Sequence, residues 1–150
     1  MEYISAEEFL KQPGEVQKVF VQWWKPSTGD LFSWIKNYEE YENDLRKLEC
    51  CNSYNIVEMT KSFKGIKEGD RIPLLSEGQL RKFIEDKTEF PILKIELING
   101  RYDIYTQYKA IDNYSDICVY DELGENLLQA YWKVAVQIAE QEVQANADRK

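Results

Sequence analysis

Ile92-Leu93-Lys94-Ile95-Glu96-Leu97-Ile98-Asn99-Gly100-Arg101-Tyr102-Asp103-Ile104-Tyr105-Thr106-Gln107-Tyr108 consists of two strand-like runs joined by Asn99-Gly100. A type I′ turn needs positive φ at both central residues, and Asn-Gly adopts it at little cost, so the runs read as an antiparallel hairpin. Counting outward from a two-residue turn sets Ile98 opposite Arg101, Leu97 opposite Tyr102, Glu96 opposite Asp103, Ile95 opposite Ile104 and Leu93 opposite Thr106. One face is then apolar and the other polar. Glu96 against Asp103 is a like-charge pair that costs about 0.2–1 kcal/mol unless a cation relieves it. Lys94 is a diagonal neighbour able to do so, and a metal ion is the alternative.

Working outward, Asp116–Tyr120 reads as a third strand, with Ile117 and Val119 on one face and Cys118 and Tyr120 on the other. A long helix follows from about Glu125 to Val143, apolar along Leu128, Tyr131, Ala135 and Ile138 and broadened by Leu127, Trp132, Val134 and Ala139; residues after Gln144 are expected to fray. On the other side, Ser76-Glu77-Gly78-Gln79 is a capping box with Leu75 and Leu80 at its staple positions, and Leu80, Phe83 and Ile84 form the buried stripe of a three-turn helix. Ser5 and Glu8 form a similar box, with Ile4 and Phe9 as the staple, for a first short helix that Pro13-Gly14 ends. Val16, Val19, Phe20 and Trp23 recur at helical spacing for a second helix.

Leu31–Ile35 and Asn55–Thr60 read as strands, Tyr38–Leu48 suits either a helix or a loop, and Lys61–Arg71 is a polar connection. The sum is an α+β fold. One domain over residues 1–150 is expected, its antiparallel sheet of about four to five strands carrying the helices, including the long C-terminal one, on one face. Adjacent hairpin strands argue against a doubly wound parallel fold.

Composition narrows the chemistry. The 150 residues include no histidine, which removes Ser-His-Asp and Cys-His centres and His-ligated zinc. Cys50, Cys51 and Cys118 form neither a CxxC pair nor an even-numbered secreted framework, which suits free thiols in a cytoplasm. No signal peptide or apolar run of about 18 residues is visible, so neither export nor a membrane span is expected. With 27 acidic against 19 basic residues the formal charge is −8, which argues against broad nucleic-acid binding and leaves two readings, solubility or imitation of nucleic-acid charge.

Three sets of side chains could carry function. Trp23 and Trp24 cannot both face one core from one helix, so Trp24 is a candidate partner contact unless the Lys25-Pro26 turn covers it; Glu39, Glu40, Glu42 and Asp44 are a candidate acidic partner surface. Lys61, Lys64, Lys67 and Arg71, with Phe63 among them, could cradle a phosphate, although Gly65–Asp70 lacks the P-loop ending. Asp112, Asp116, Asp121, Glu122 and Glu125 could bind a cation or serve as acid and base, but without an EF-hand spacing they equally suit a helix N-terminus. Neither a catalytic residue, a metal site nor a cofactor is assigned. The broad face of the last helix permits a homodimer.

At Trp23–Leu31, Ile72–Glu85 and Leu127–Lys133, about a quarter of the chain, the sequence resembles small acidic proteins of phages and prophages of low-GC Gram-positive bacteria, a loose group without an agreed activity. The resemblance implies a compact protein that acts by stoichiometric binding in the host cytoplasm, as anti-CRISPR proteins, signal-nucleotide sponges and inhibitors of host enzymes do. No residue role transfers with it. The expectation is therefore a non-enzymatic inhibitor of a host defence or nucleic-acid-metabolism protein. The alternatives are a nucleotide sponge using the Lys61–Arg71 segment, a carboxylate and metal enzyme, and a virion component.

Overall fold

The computed structural model describes residues 2–34, 48–51, 71–109 and 114–150. The chain divides into two compact units, Ser5–Leu74 and Met1–Ile4 together with Leu75–Lys150.

In the first unit, Ser5 caps helix α1 (Ala6–Leu10) by accepting the Glu8 N–H at 3.2 Å. Pro13 precedes helix α2 (Gly14–Trp23), and the Gln17 amide from α2 donates to the carbonyls of Leu10 and Gln12, satisfying acceptors that the end of α1 leaves open. Phe9 and Phe20 meet edge to face at 6.0 Å and both are buried. Ser27–Asp30 is a tight turn with Gly29 at φ +96°, closed by the Asp30 N–H on the Ser27 carbonyl and by Asp30 Oδ2 on the Ser27 N–H. It leads into β1 (Leu31–Trp34), the centre of a three-stranded antiparallel sheet whose flanking strands are β2 (Leu48–Cys50) and β3 (Arg71–Leu74). Pro73 has no N–H to give to a second neighbour, and β3 has only β1 beside it among the described residues.

In the second unit, Tyr3 bridges Ser76 and the Ile4 N–H donates to the Leu75 carbonyl. The capping box at Ser76 is complete: Ser76 Oγ accepts the Gln79 N–H, Gln79 Oε1 accepts the Ser76 N–H, and helix α3 (Glu77–Thr88) follows with Leu80, Phe83 and Ile84 fully buried. The hairpin is β4 (Lys94–Ile98) and β5 (Arg101–Lys109), with Asn99 at φ +51° and Gly100 at φ +78° and the register counted from the turn, from Ile98 opposite Arg101 to Ile95 opposite Ile104. Strand β6 (Ser115–Tyr120) pairs with the other side of β5. Asn126 caps helix α4 (Leu127–Asp148), which packs with α3 against β5, and Lys87 ties α3 to Glu142 of α4 at 2.6 Å. Residues directly opposite one another share a face. Ile104, Thr106 and Tyr120 lie on the buried face, where Tyr120 bonds to Thr106 of β5 and Gln141 of α4, and burial pushes its hydroxyl well above the ordinary tyrosine range.

The α+β class stands, but among the described residues the expected sheet of four to five strands is instead two three-stranded sheets, in the orders β2-β1-β3 and β4-β5-β6. The reason is pairing: β1 uses both sides on β2 and β3, while β5 uses both on β4 and β6. Arg71, expected in a polar connection, opens β3. Helix α4 continues to Asp148 instead of fraying after Gln144; Ala145 and Ala147 are strong helix formers, and the Gln144 amide reaches Asp148 at 2.8 Å. The expected strand at Asn55–Thr60 lies outside the described residues, as does Tyr38–Leu48 up to Leu48, which opens β2.

Candidate interaction surface

The face of the β4-β5-β6 sheet opposite Ile104 and Thr106 stands open. Ile98, at the turn end of β4, and Ile117 and Val119, within β6, lie on it at 46%, 56% and 49% exposure. Between them sits a polar centre. Lys94 forms an ion pair with Glu96, and its ammonium stands 5.5 Å from the Tyr105 ring centroid. Glu96 also takes a hydrogen bond from the Tyr105 hydroxyl, so Lys94 first and Tyr105 second hold its carboxyl below the ordinary glutamate value; the same contacts raise Lys94 and Tyr105.

The like-charge pair is relieved by protein groups on both sides. Lys94 neutralises Glu96, and Asp103 accepts the Glu122 N–H at 3.0 Å while the Glu122 carboxylate meets Arg101 at 3.4 Å. Beyond β6 the chain stays on β5: the Leu123 N–H donates to the Tyr102 carbonyl and the Tyr102 N–H to the Gly124 carbonyl, which sets two residues against one. Glu122 at φ +50° and Gly124 at φ +98° make this bend, and Lys133 of α4 holds the Leu123 carbonyl at 2.8 Å. The result is an open concavity of about 480 Å³ at the turn end of the sheet, lined by Ile98, Asn99, Arg101, Asp103, Asp121 and Glu122.

Of the residues singled out in the sequence, Trp24 is buried at 9% exposure. It caps the end of α2 with an extended ψ of 119° and its ring stands 6.4 Å from Phe32, a cover other than the Lys25-Pro26 turn, so it offers no exposed anchor. Its Nε1 has no hydrogen-bond partner among the described residues. Glu39, Glu40, Glu42 and Asp44, and likewise Lys61, Lys64 and Lys67, lie outside the described residues. Arg71 is half-buried on β3, near enough to Cys51 for its charge to favour the thiolate; burial, Asp30 and Cys50 outweigh it and push that thiol up to about 11. Such a thiol is a packing group and a poor nucleophile.

The carboxylate set divides: Asp121 and Glu122 line the concavity, and Asp116 lies on β6. Asp116 accepts the Tyr108 hydroxyl at 3.1 Å and the Ile117 N–H at 2.8 Å, Glu122 pairs with Arg101, and Asp112 lies outside the described residues. Among the described residues, no group of three or more acidic or thiol side chains is arranged to hold a metal ion, and no helix is long and apolar enough to cross a membrane. The open face escaped the sequence reading although its residues were correctly alternated. Alternation sorts Ile117 from Cys118, but it does not say which face the helices cover.

Comparison of the chain with known protein families, with curated proteins and with solved structures finds no match.

Proposed function

We propose that this chain is a phage or prophage accessory protein without enzymatic activity, one that binds a host protein of defence or nucleic-acid metabolism stoichiometrically and blocks it. The observation that carries this reading is the open sheet face: Ile98, Ile117 and Val119 half exposed around the paired Lys94–Glu96–Tyr105 centre. Apolar side chains around a few internally satisfied polar groups, with an aromatic ring at the middle, are the composition of a protein contact. The missing histidine, the charge of −8 and the resemblance to small acidic phage proteins support the same reading.

The test uses the tagged full chain as bait in a lysate of a low-GC Gram-positive host. One protein is expected to be retained in stoichiometric amount, and Ile98→Lys and Tyr105→Ala are each expected to lower its capture at least about tenfold, since buried aromatic and apolar anchors dominate such contacts. Retention indifferent to both substitutions, or release of a nucleotide with no protein bound, overturns the proposal.

A further inference from the structure

Among the described residues, strand β6 is paired on one side only, by β5. A two-residue type I′ turn makes Ile98 and Arg101 a hydrogen-bonded pair, so alternate residues of β5 starting at Arg101 turn their N–H and C=O toward β4, and those between turn toward β6. The register of Tyr120 on Ile104, Cys118 on Thr106 and Asp116 on Tyr108 then commits those three residues of β6 to β5. Ser115, Ile117 and Val119 point their backbone groups outward. The Ile117 N–H accordingly finds the Asp116 carboxylate, and among the described residues no strand pairs with that edge.

We infer that this edge pairs with the same edge of a second copy of the chain, antiparallel about Cys118, so that Ile117 of each copy lies against Val119 of the other. An antiparallel edge is its own complement under a two-fold axis. Outward residues bond only to outward residues, which leaves few registers, and charge chooses among them. Centring on Asp116 would oppose two carboxylates; centring on Ile117 would set Val119 against Ser115; centring on Val119 would set Ile117 against Asp121. Centring on Cys118 pairs aliphatic with aliphatic twice and opposes no like charges. Edges that are kept free carry several charges, a proline or a bulge. Over Ser115–Tyr120 the only charged side chain is Asp116, and its carboxylate holds both the Ile117 N–H and the Tyr108 hydroxyl. Pairing requires it to release the first bond and allows it to keep the second. The product is a continuous six-stranded sheet whose open face carries four adjacent aliphatic side chains, and it stands whatever the host partner is.

Sedimentation velocity of the full chain across the micromolar range tests this. The wild type is expected to pass from monomer to dimer, Val119→Lys to remain monomeric with an unchanged melting curve, and Asp116→Ala to dimerise at lower concentration because the Ile117 N–H is freed. In this register Cys118 faces its own copy as a non-hydrogen-bonded pair with Cα atoms about 4.5 Å apart, within the roughly 4.4–6.8 Å a disulfide spans. Diamide, as added oxidant, is therefore expected to take two electrons and two protons from the two Cys118 thiols, its N=N bond becoming the hydrazine as the S–S bond forms, and to yield a covalent dimer from Cys50→Ser but not from Cys118→Ser. A wild type that stays monomeric, a dimer that survives Val119→Lys, or equal cross-linking of Cys118→Ser overturns the inference. The open face and this edge share Ile117 and Val119, and Tyr105 lies opposite Val119, so the proposals are separated by readout: host-protein capture is read on Ile98→Lys and self-association on sedimentation and Cys118 cross-linking, and either fails without the other.

Discussion

Glu96 shows how much of the open face is decided by single side chains. Lys94 and then Tyr105 stabilise its ionised form, so its folded pKa lies below the value it has in the unfolded chain. For a depressed carboxyl the stabilisation is fully present above the unfolded value and is lost as pH falls through the folded one. The site is exposed, so the gain in stability is small. The titration itself is expected to be visible: by carbon-detected NMR the Glu96 carboxyl should titrate below the ordinary glutamate range and move up in Tyr105→Phe, and further in Lys94→Ala. A Glu96 that titrates normally in the wild type would remove the polar centre described above. Lys94 as the partner of Glu96 was legible from the hairpin count. Tyr105 was not, because nothing in the alternation says that its hydroxyl reaches across to the carboxylate.

At the scale of elements, the turn and the two serine caps are legible at the right residues, whereas strand and helix ends shift by one to five residues. Asn99-Gly100 fixes a turn because both residues must take positive φ, and Ser76 with Gln79 fixes a helix start because each satisfies the other's backbone N–H. Gly100→Ala is expected to destabilise the protein by about 1–2 kcal/mol, since an L side chain at φ +78° meets its own backbone; urea unfolding midpoints measure it, and an unchanged midpoint would mean that the turn adapts. The elements that were missed are those whose local signal points the wrong way. Arg71 reads as the end of a polar connection, yet Arg71–Leu74 forms β3, where Pro73 needs no N–H on a side that no described strand occupies. Trp24 reads as a surplus aromatic on a helix, yet it has already left the helix and packs on Phe32.

For the molecule as a whole, the charge of −8 and the apolar face make opposite demands on binding. Exposed charges are screened over about 10 Å at 0.1 M salt, whereas burial of aliphatic surface is not weakened by salt. Partner capture through the sheet face is therefore expected to persist in high salt, with the same protein retained; its collapse would assign binding to an acidic surface. The sequence by itself determined the α+β class, the hairpin and its register, both serine-capped helices, and the lack of any histidine-based chemistry, because turns, caps and composition act over a few residues. Only the tertiary structure decided that the strands form two small sheets, that Trp24 is buried, and that Ile98, Ile117 and Val119 are left open while Ile104 and Thr106 are covered. Each of those depends on which face and which edge of a strand meets another part of the chain, and a period-two pattern is the same whichever face is chosen.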